Sequence, residues 1–200
     1  FLGEDHPFYN RFNGDDLGSA SYSLIGCNTK RFSIKSVEWE IVIDAGHNTV
    51  PFLLRNENRI PEAVFLTHGH LDHILGTDWI AQSLNFKNTG SKKLPVYATY
   101  LCHQQLLQTI PHIQGAVNLC ELKPGIKSAV NEIKNLHVTA FPVYHGDSAR
   151  GAVMLLFEYK NGKNTAHALF TGDMVFPFLR NEDYTEISKA KVLYIDCTNR

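Results

Sequence analysis

Thr67-His68-Gly69-His70-Leu71-Asp72-His73 places three imidazoles and one carboxylate within the six residues from His68 to His73. These donors suit zinc, and manganese or iron less exclusively. Ten histidines in 200 residues would bring some close together by chance. A solvated polar loop, however, would carry Lys, Glu, Ser or Asn, and here only Gly69 and Leu71 interrupt the ligand types. Divalent ions held by such a segment can turn water into a nucleophile at neutral pH, so the chemistry in view is metal-assisted hydrolysis.

The elements that must position this loop are legible in the hydropathy pattern. Residues 63–66 are apolar and read as a strand running into the histidines. Strands are also expected at 21–25, 38–43, 94–98, 119–122, 136–143, 152–159, 166–170 and 192–195. Residues 161–164 form a hairpin turn between two of them. Helices are expected over 73–84, with Ile74, Leu75, Trp79, Ile80 and Leu84 at helical spacing, and over 99–110, ending before Pro111. Residues 1–18 (with a loop at 13–16), 56–60 and 86–93 read as polar connectors, with a turn at Pro61. A ligand-type residue follows strand after strand: Asp44, the His68 to His73 group, His145, Asp173 and Asp196. Several strands therefore aim at one rim, as loop-borne sites on a rigid scaffold do.

Composition bounds the rest. Hydrophobic residues make up 44% and charged residues 20%, which describes a globular chain, and its length suits one domain over residues 1–200. The net charge of −1 provides no global basic field for long nucleic acid. Cys27, Cys102, Cys120 and Cys197 lack C-x-x-C spacing and read as thiols of a reducing compartment, the cytoplasm. No apolar run approaches the roughly 20 residues of a membrane span, and no signal peptide is visible. The chain opens at Phe1, so a native N-terminus is expected to have been removed.

The order Asp44-Ala45-Gly46, then H-x-H-x-D-H at 68–73, then His145, then Thr171-Gly172-Asp173 resembles the metallo-β-lactamase fold, an αββα sandwich, from about Ser21 to Asp196. The resemblance implies two divalent ions, Zn2+ first, with Mn2+ or Fe2+ as alternatives. His68, His70 and His145 would hold one, Asp72 and His73 the other, and Asp173 would bridge them. Asp44 would orient a ligand from behind. Two such ions need an anion between them, and a water shared by them is acidified into a hydroxide nucleophile. The family pattern ends in a further histidine. Beyond Asp196 stand only Cys197, Thr198, Asn199 and Arg200, so the fold is expected to be incomplete at its C-terminus, in a protein about 60–100 residues longer.

Within that superfamily, Leu193-Tyr194-Ile195-Asp196-Cys197-Thr198 is similar to the strand ending in Glu-Ala-Thr of RNase Z-like phosphodiesterases. The similarity gives Asp72 and Asp196 catalytic parts, Asp196 orienting the acid that protonates the leaving oxygen. The alternative for Asp196 is a turn cap. The interval from His145 to Asp173 has room for two strands and a turn but not for an inserted tRNA-gripping arm. A small phosphodiester, such as a cyclic nucleotide or cyclic phosphate, is therefore the expected substrate. No membrane is involved, and a homodimer is allowed. The alternatives are a lactonase or thioesterase on the same metals, or a non-catalytic metal-binding module. Lesser expectations are a solvated His47, surface positions for His103 and His112, and a strand-face His167. Arg150 reads as a solvated cation within reach of a phosphate. Tyr144, Phe176 and Phe178 read as packing or as an apolar wall for a base.

Overall fold

The computed structural model describes residues 20–27, 36–46, 49–50, 53, 59–88 and 92–195. The expected loop at 13–16, His47 and Asp196 lie outside the described residues. The chain divides into two compact units. One comprises residues up to 66, 70–97 and 105–120; the other comprises 67–69, 98–104 and 121 onward.

The first unit is built on a sheet ordered β1 (Ser21–Cys27), β2 (Val37–Ala45), β3 (Ala63–Phe65), β4 (Leu94–Ala98) and β5 (Val117–Glu121). β1 runs antiparallel to β2, whereas β2, β3 and β4 run parallel, with Ile41 opposite Ala63 and Val64 opposite Val96. Parallel strands covered on both faces are apolar almost continuously. Accordingly, every residue of β3 and β4 is buried, as is β2 from Glu40 onward. Phe65 stacks on Tyr97 with ring centroids 4.6 Å apart.

The helix expected at 73–84 is instead two: α1 (Leu71–Ile74) and α2 (Gly76–Lys87). Leu75 separates them, and α2 extends into the stretch expected as a loop. Gly76 opens α2 because a Cβ there would collide with the carbonyl of Gly46. Thr77, Ile80, Ala81 and Leu84 form the buried stripe. Trp79, expected on that stripe, is 62% exposed, because one residue before Ile80 lies about 100° off it. α3 (Tyr100–Thr109) follows β4, and a 3-10 turn (Pro111–Gly115) begins at Pro111.

The second unit carries a mixed sheet ordered β10 (Phe176–Pro177), β7 (Leu136–Tyr144), β8 (Val153–Asn161), β9 (Asn164–Phe170) and β11 (Val192–Tyr194), with β6 (Lys127–Ala129) paired to β7. β8 and β9 form the expected hairpin, in register from Asn161 opposite Asn164 to Leu155 opposite Phe170. β11 pairs in parallel with β9 and is the outermost strand among the described residues. Phe141, Met154, Leu156 and Leu169 pack a core against which Met174 and Leu179 close. α4 (Asn181–Ile187) begins where Arg180 N–H donates to Asp183 Oδ2 at 2.8 Å.

Glu158 on β8 anchors a charge row across this sheet. Lys127 Nζ lies 2.7 Å and Lys160 Nζ 3.4 Å from its Oε1, and His167 Nε2 lies 3.2 Å from its Oε2. Burial pushes the carboxyl up, but Lys127, His167 and Lys160 together bring it down from 4.5 to about 2. A carboxyl lowered on folding stabilises the protein fully above its unfolded value. That contribution is lost as pH falls from 4.5 through about 2. Because both lysines are half-exposed, the contribution is on the order of 1 kcal/mol. Glu158→Gln should therefore flatten the dependence of the urea midpoint on pH between 5 and 3. An unchanged slope would show that Glu158 does not contribute to it.

Candidate metal centre

In the first unit, β2 passes through a backbone conformation that most side chains avoid. Asp44 has φ +54°, the left-handed region that Asp and Asn tolerate better than other non-glycine residues. Its carbonyl accepts the Ser21 hydroxyl at 2.8 Å, and the Thr49 hydroxyl donates to Ser21 Oγ at 3.0 Å. Held this way, the buried Asp44 carboxylate reaches His73 Nδ1 with Oδ2 at 2.8 Å. A carboxylate on Nδ1 fixes the proton there and leaves Nε2 as the donor for an ion. Asp72 presents its own carboxylate on that side, Oδ2 lying 3.7 Å from His73 Nε2. His73 is buried and Asp72 half-exposed, so the pair offers one fixed nitrogen and one adaptable oxygen. His70 caps α1, its carbonyl accepting the His73 N–H at 3.0 Å.

The second unit gathers another set. His68, fully buried, sits with Nδ1 3.0 Å from Thr67 Oγ1. Its ring meets that of His145 edge-on, with centroids 4.8 Å apart and planes at 74°. His145 stands just past β7, where Nε2 lies 3.3 Å from Asp173 Oδ2. His68 also offers a nitrogen within 4.8 Å of an Asp173 oxygen. Two buried imidazoles and a carboxylate thus converge from three chain segments. This is the N/N/O donor chemistry of zinc-type sites, and these residues fit a divalent ion.

The turn that carries Asp173 is tightly seated. Gly172 has φ +57°, and a Cβ there would stand 2.7 Å from Thr67 Cβ and Oγ1. Thr67 is anchored in turn, its carbonyl accepting the Val153 N–H at 2.9 Å. Thr67 therefore backs both His68 and the Asp173 turn. Its residue type does not announce that part; its place immediately before the first histidine is the one signal the sequence offers. Gly172→Ala should destabilise the fold by about 2 kcal/mol through both strain and overlap. Thermal unfolding reads it, and an unchanged midpoint would mean that the turn relaxes freely.

Other expectations separate. His167 lies on β9 beside Glu158, as a strand-face histidine should. His112 is exposed, with Nε2 3.0 Å from Asp78 Oδ1. His103, expected on the surface, is buried, because its position in α3 faces inward with Cys102 and Leu106. No helix among the described residues is long and apolar enough to cross a membrane.

Comparison with known proteins agrees with this architecture. The chain is 28% identical over 117 residues to a ribonuclease Z of Oenococcus oeni, covering 52% of this chain and 35% of that one. It is similar in fold to the short form of human tRNase Z, with TM-score 0.62 and 14% identity over 88% of this chain and 70% of that one. A diphosphatase of the PhnP family matches at TM-score 0.60 and 20% identity, over 79% of this chain and 56% of that one. Unliganded yeast PDE1 matches at TM-score 0.57 and 15% identity, over 78% and 65%. The matched stretch spans only about a third of the bacterial enzyme and about half of the diphosphatase. The model of the beta-lactamase superfamily domain matches residues 40–199, with the α/β fold of two mixed sheets, and the chain belongs to the metallo-β-lactamase superfamily.

Proposed function

We propose that this chain carries the metal-binding part of a dinuclear hydrolase acting on a small phosphodiester. The observation that carries the reading is the convergence of His68, His145 and Asp173, with His73 separately fixed by Asp44. In this reading His68, His70 and His145 would hold one divalent ion, Asp72 and His73 would hold a second, and Asp173 would serve as a ligand shared by them. Zn2+ suits these donors best, with Mn2+ or Fe2+ as alternatives. The bound ions would supply an acidified water and would offset the charge of an attacked phosphate. The chain's own residues do the positioning. Thr67 sets the His68 ring, Asp44 sets the His73 tautomer, and the Gly172 turn delivers the Asp173 carboxylate.

The phosphodiester rather than carboxylic-ester reading is favoured by the names of the ribonuclease Z, diphosphatase and PDE1 relatives. Asp196, which lies outside the described residues, is proposed from the sequence to orient the acid that serves the leaving oxygen. A cytoplasmic setting is proposed from the sequence alone, in which Cys27, Cys102, Cys120 and Cys197 lack C-x-x-C spacing. A substrate panel tests the reading. Metal-loaded protein should cleave bis(p-nitrophenyl) phosphate or a cyclic nucleotide in preference to lactones and thioesters. Hydrolysis of lactones or thioesters alone would sink it, and metal content far below one ion per chain would favour a non-catalytic module.

A further inference from the structure

Beside His145 the second unit opens a pocket of about 380 Å3, lined in part by Tyr144, His145, Asp147, Arg150, Leu101 and Phe178. Its lining combines two kinds of chemistry. One is an aromatic ledge. Tyr144 stacks on Phe176 with centroids 5.1 Å apart and planes at 24°, and Phe176 meets Phe178 edge-on at 5.2 Å. The ledge is fixed by backbone bonds. Val175 N–H donates to the Tyr144 carbonyl at 2.7 Å, and Phe178 N–H donates to the Pro142 carbonyl at 2.9 Å. Yet Tyr144, Phe176 and Phe178 are 37%, 46% and 53% exposed. Tyr144 and Phe178 line the pocket, and Phe176, paired with Tyr144 across β7 and β10, contacts both rings.

The other is the loop from Gly146 to Gly151, which carries the exposed Arg150. Both glycines have positive φ, +85° and +76°. Thr99 Oγ1 donates to the Gly151 carbonyl at 2.7 Å, so the loop is pinned at its far end. Asp147 stands exposed on the same rim.

We infer that this pocket is a nucleotide subsite, in which the Tyr144–Phe176–Phe178 ledge stacks a nucleobase and Arg150 takes a phosphate oxygen. The inference rests on His145 being part of the hydrolytic centre, since the pocket then lies beside the reacting ester. A guanidinium recognises phosphate through paired donors, and flat rings stack on aromatic faces whatever the base.

The test is binding of adenosine 5′-monophosphate, ribose 5-phosphate and adenosine to the metal-loaded chain, repeated with chelator. Adenosine 5′-monophosphate should bind about 10-fold more tightly than ribose 5-phosphate. Phe178→Ser should abolish that advantage, and Phe178→Trp should keep it. Arg150→Gln should weaken the nucleotide about 10-fold while leaving adenosine unchanged. Equal binding of ribose 5-phosphate and the nucleotide, or an Arg150→Gln variant that binds both like the parent, would overturn the subsite. Hydrolysis of bis(p-nitrophenyl) phosphate, measured in parallel, separates the two readings. Its absence with the binding pattern intact counts against the hydrolase alone. Its presence with the pattern lost counts against the subsite alone.

Discussion

Asp173→Ala is expected to lose bound metal and hydrolytic activity together, by more than about 100-fold in rate. Outer partners of metal ligands already cost about 10–100-fold when removed, and a carboxylate proposed as a direct ligand should cost more. Asp173 Oδ2 lies 3.3 Å from His145 Nε2, so the two side chains already face a common point. Removing the carboxylate leaves buried imidazoles without the anion that offsets a dication. His68→Ala should behave alike, because its ring packs against His145 with centroids 4.8 Å apart. The measurements are metal stoichiometry by mass spectrometry and turnover of bis(p-nitrophenyl) phosphate on the same preparation. Full metal content in Asp173→Ala would remove it from the bridging position. Full metal content in His68→Ala would remove the first ion from the loop.

The second large effect is expected at Asp44, which need touch no metal. Its carboxylate holds Nδ1 of the buried His73 at 2.8 Å, and its backbone sits at φ +54°. Substitution therefore mixes a chemical change with a conformational one, and two variants separate them. Asn tolerates the left-handed backbone and can still accept the Nδ1–H, but it carries no charge. Asp44→Asn should weaken occupancy of the His73 ion about 10-fold with little change in unfolding temperature. Asp44→Ala should weaken it about 100-fold. It should also destabilise the protein by about 2–3 kcal/mol, from an unsatisfied buried N–H and a strained backbone. Competitive chelator titration reads the first quantity and denaturant unfolding the second. Equal metal occupancy in all three proteins would limit Asp44 to a structural part.

The metal-ligand types are readable because their chemistry is stated by residue identity, and their strands because apolar runs are long enough to be unambiguous. β4 and the β8–β9 hairpin stand where the hydropathy places them. What escapes is structure that depends on distant partners. β10 is only Phe176–Pro177, and it is a strand because Tyr144 and Val143 lie opposite. β6 has no apolar run and exists through its pairing with β7. α4 lacks a strong periodic stripe and starts from the Arg180–Asp183 contacts. Gly76 lies against the Gly46 carbonyl, a close approach that no local pattern reports. His103 departs from expectation for a related reason: a histidine on a helix carries no mark of which face it occupies.

The edge of the second sheet has a practical side. β11 gives Thr171 a partner, Tyr194 O accepting its N–H at 3.0 Å, but Val192, Leu193, Tyr194 and Ile195 are all exposed. Among the described residues β11 is the outermost strand of this sheet, and an apolar strand whose outer groups face no neighbour can pair with another chain. Concentrated samples of this polypeptide should therefore be handled as aggregation-prone. Leu193→Lys is the natural first step toward crystals or spectra.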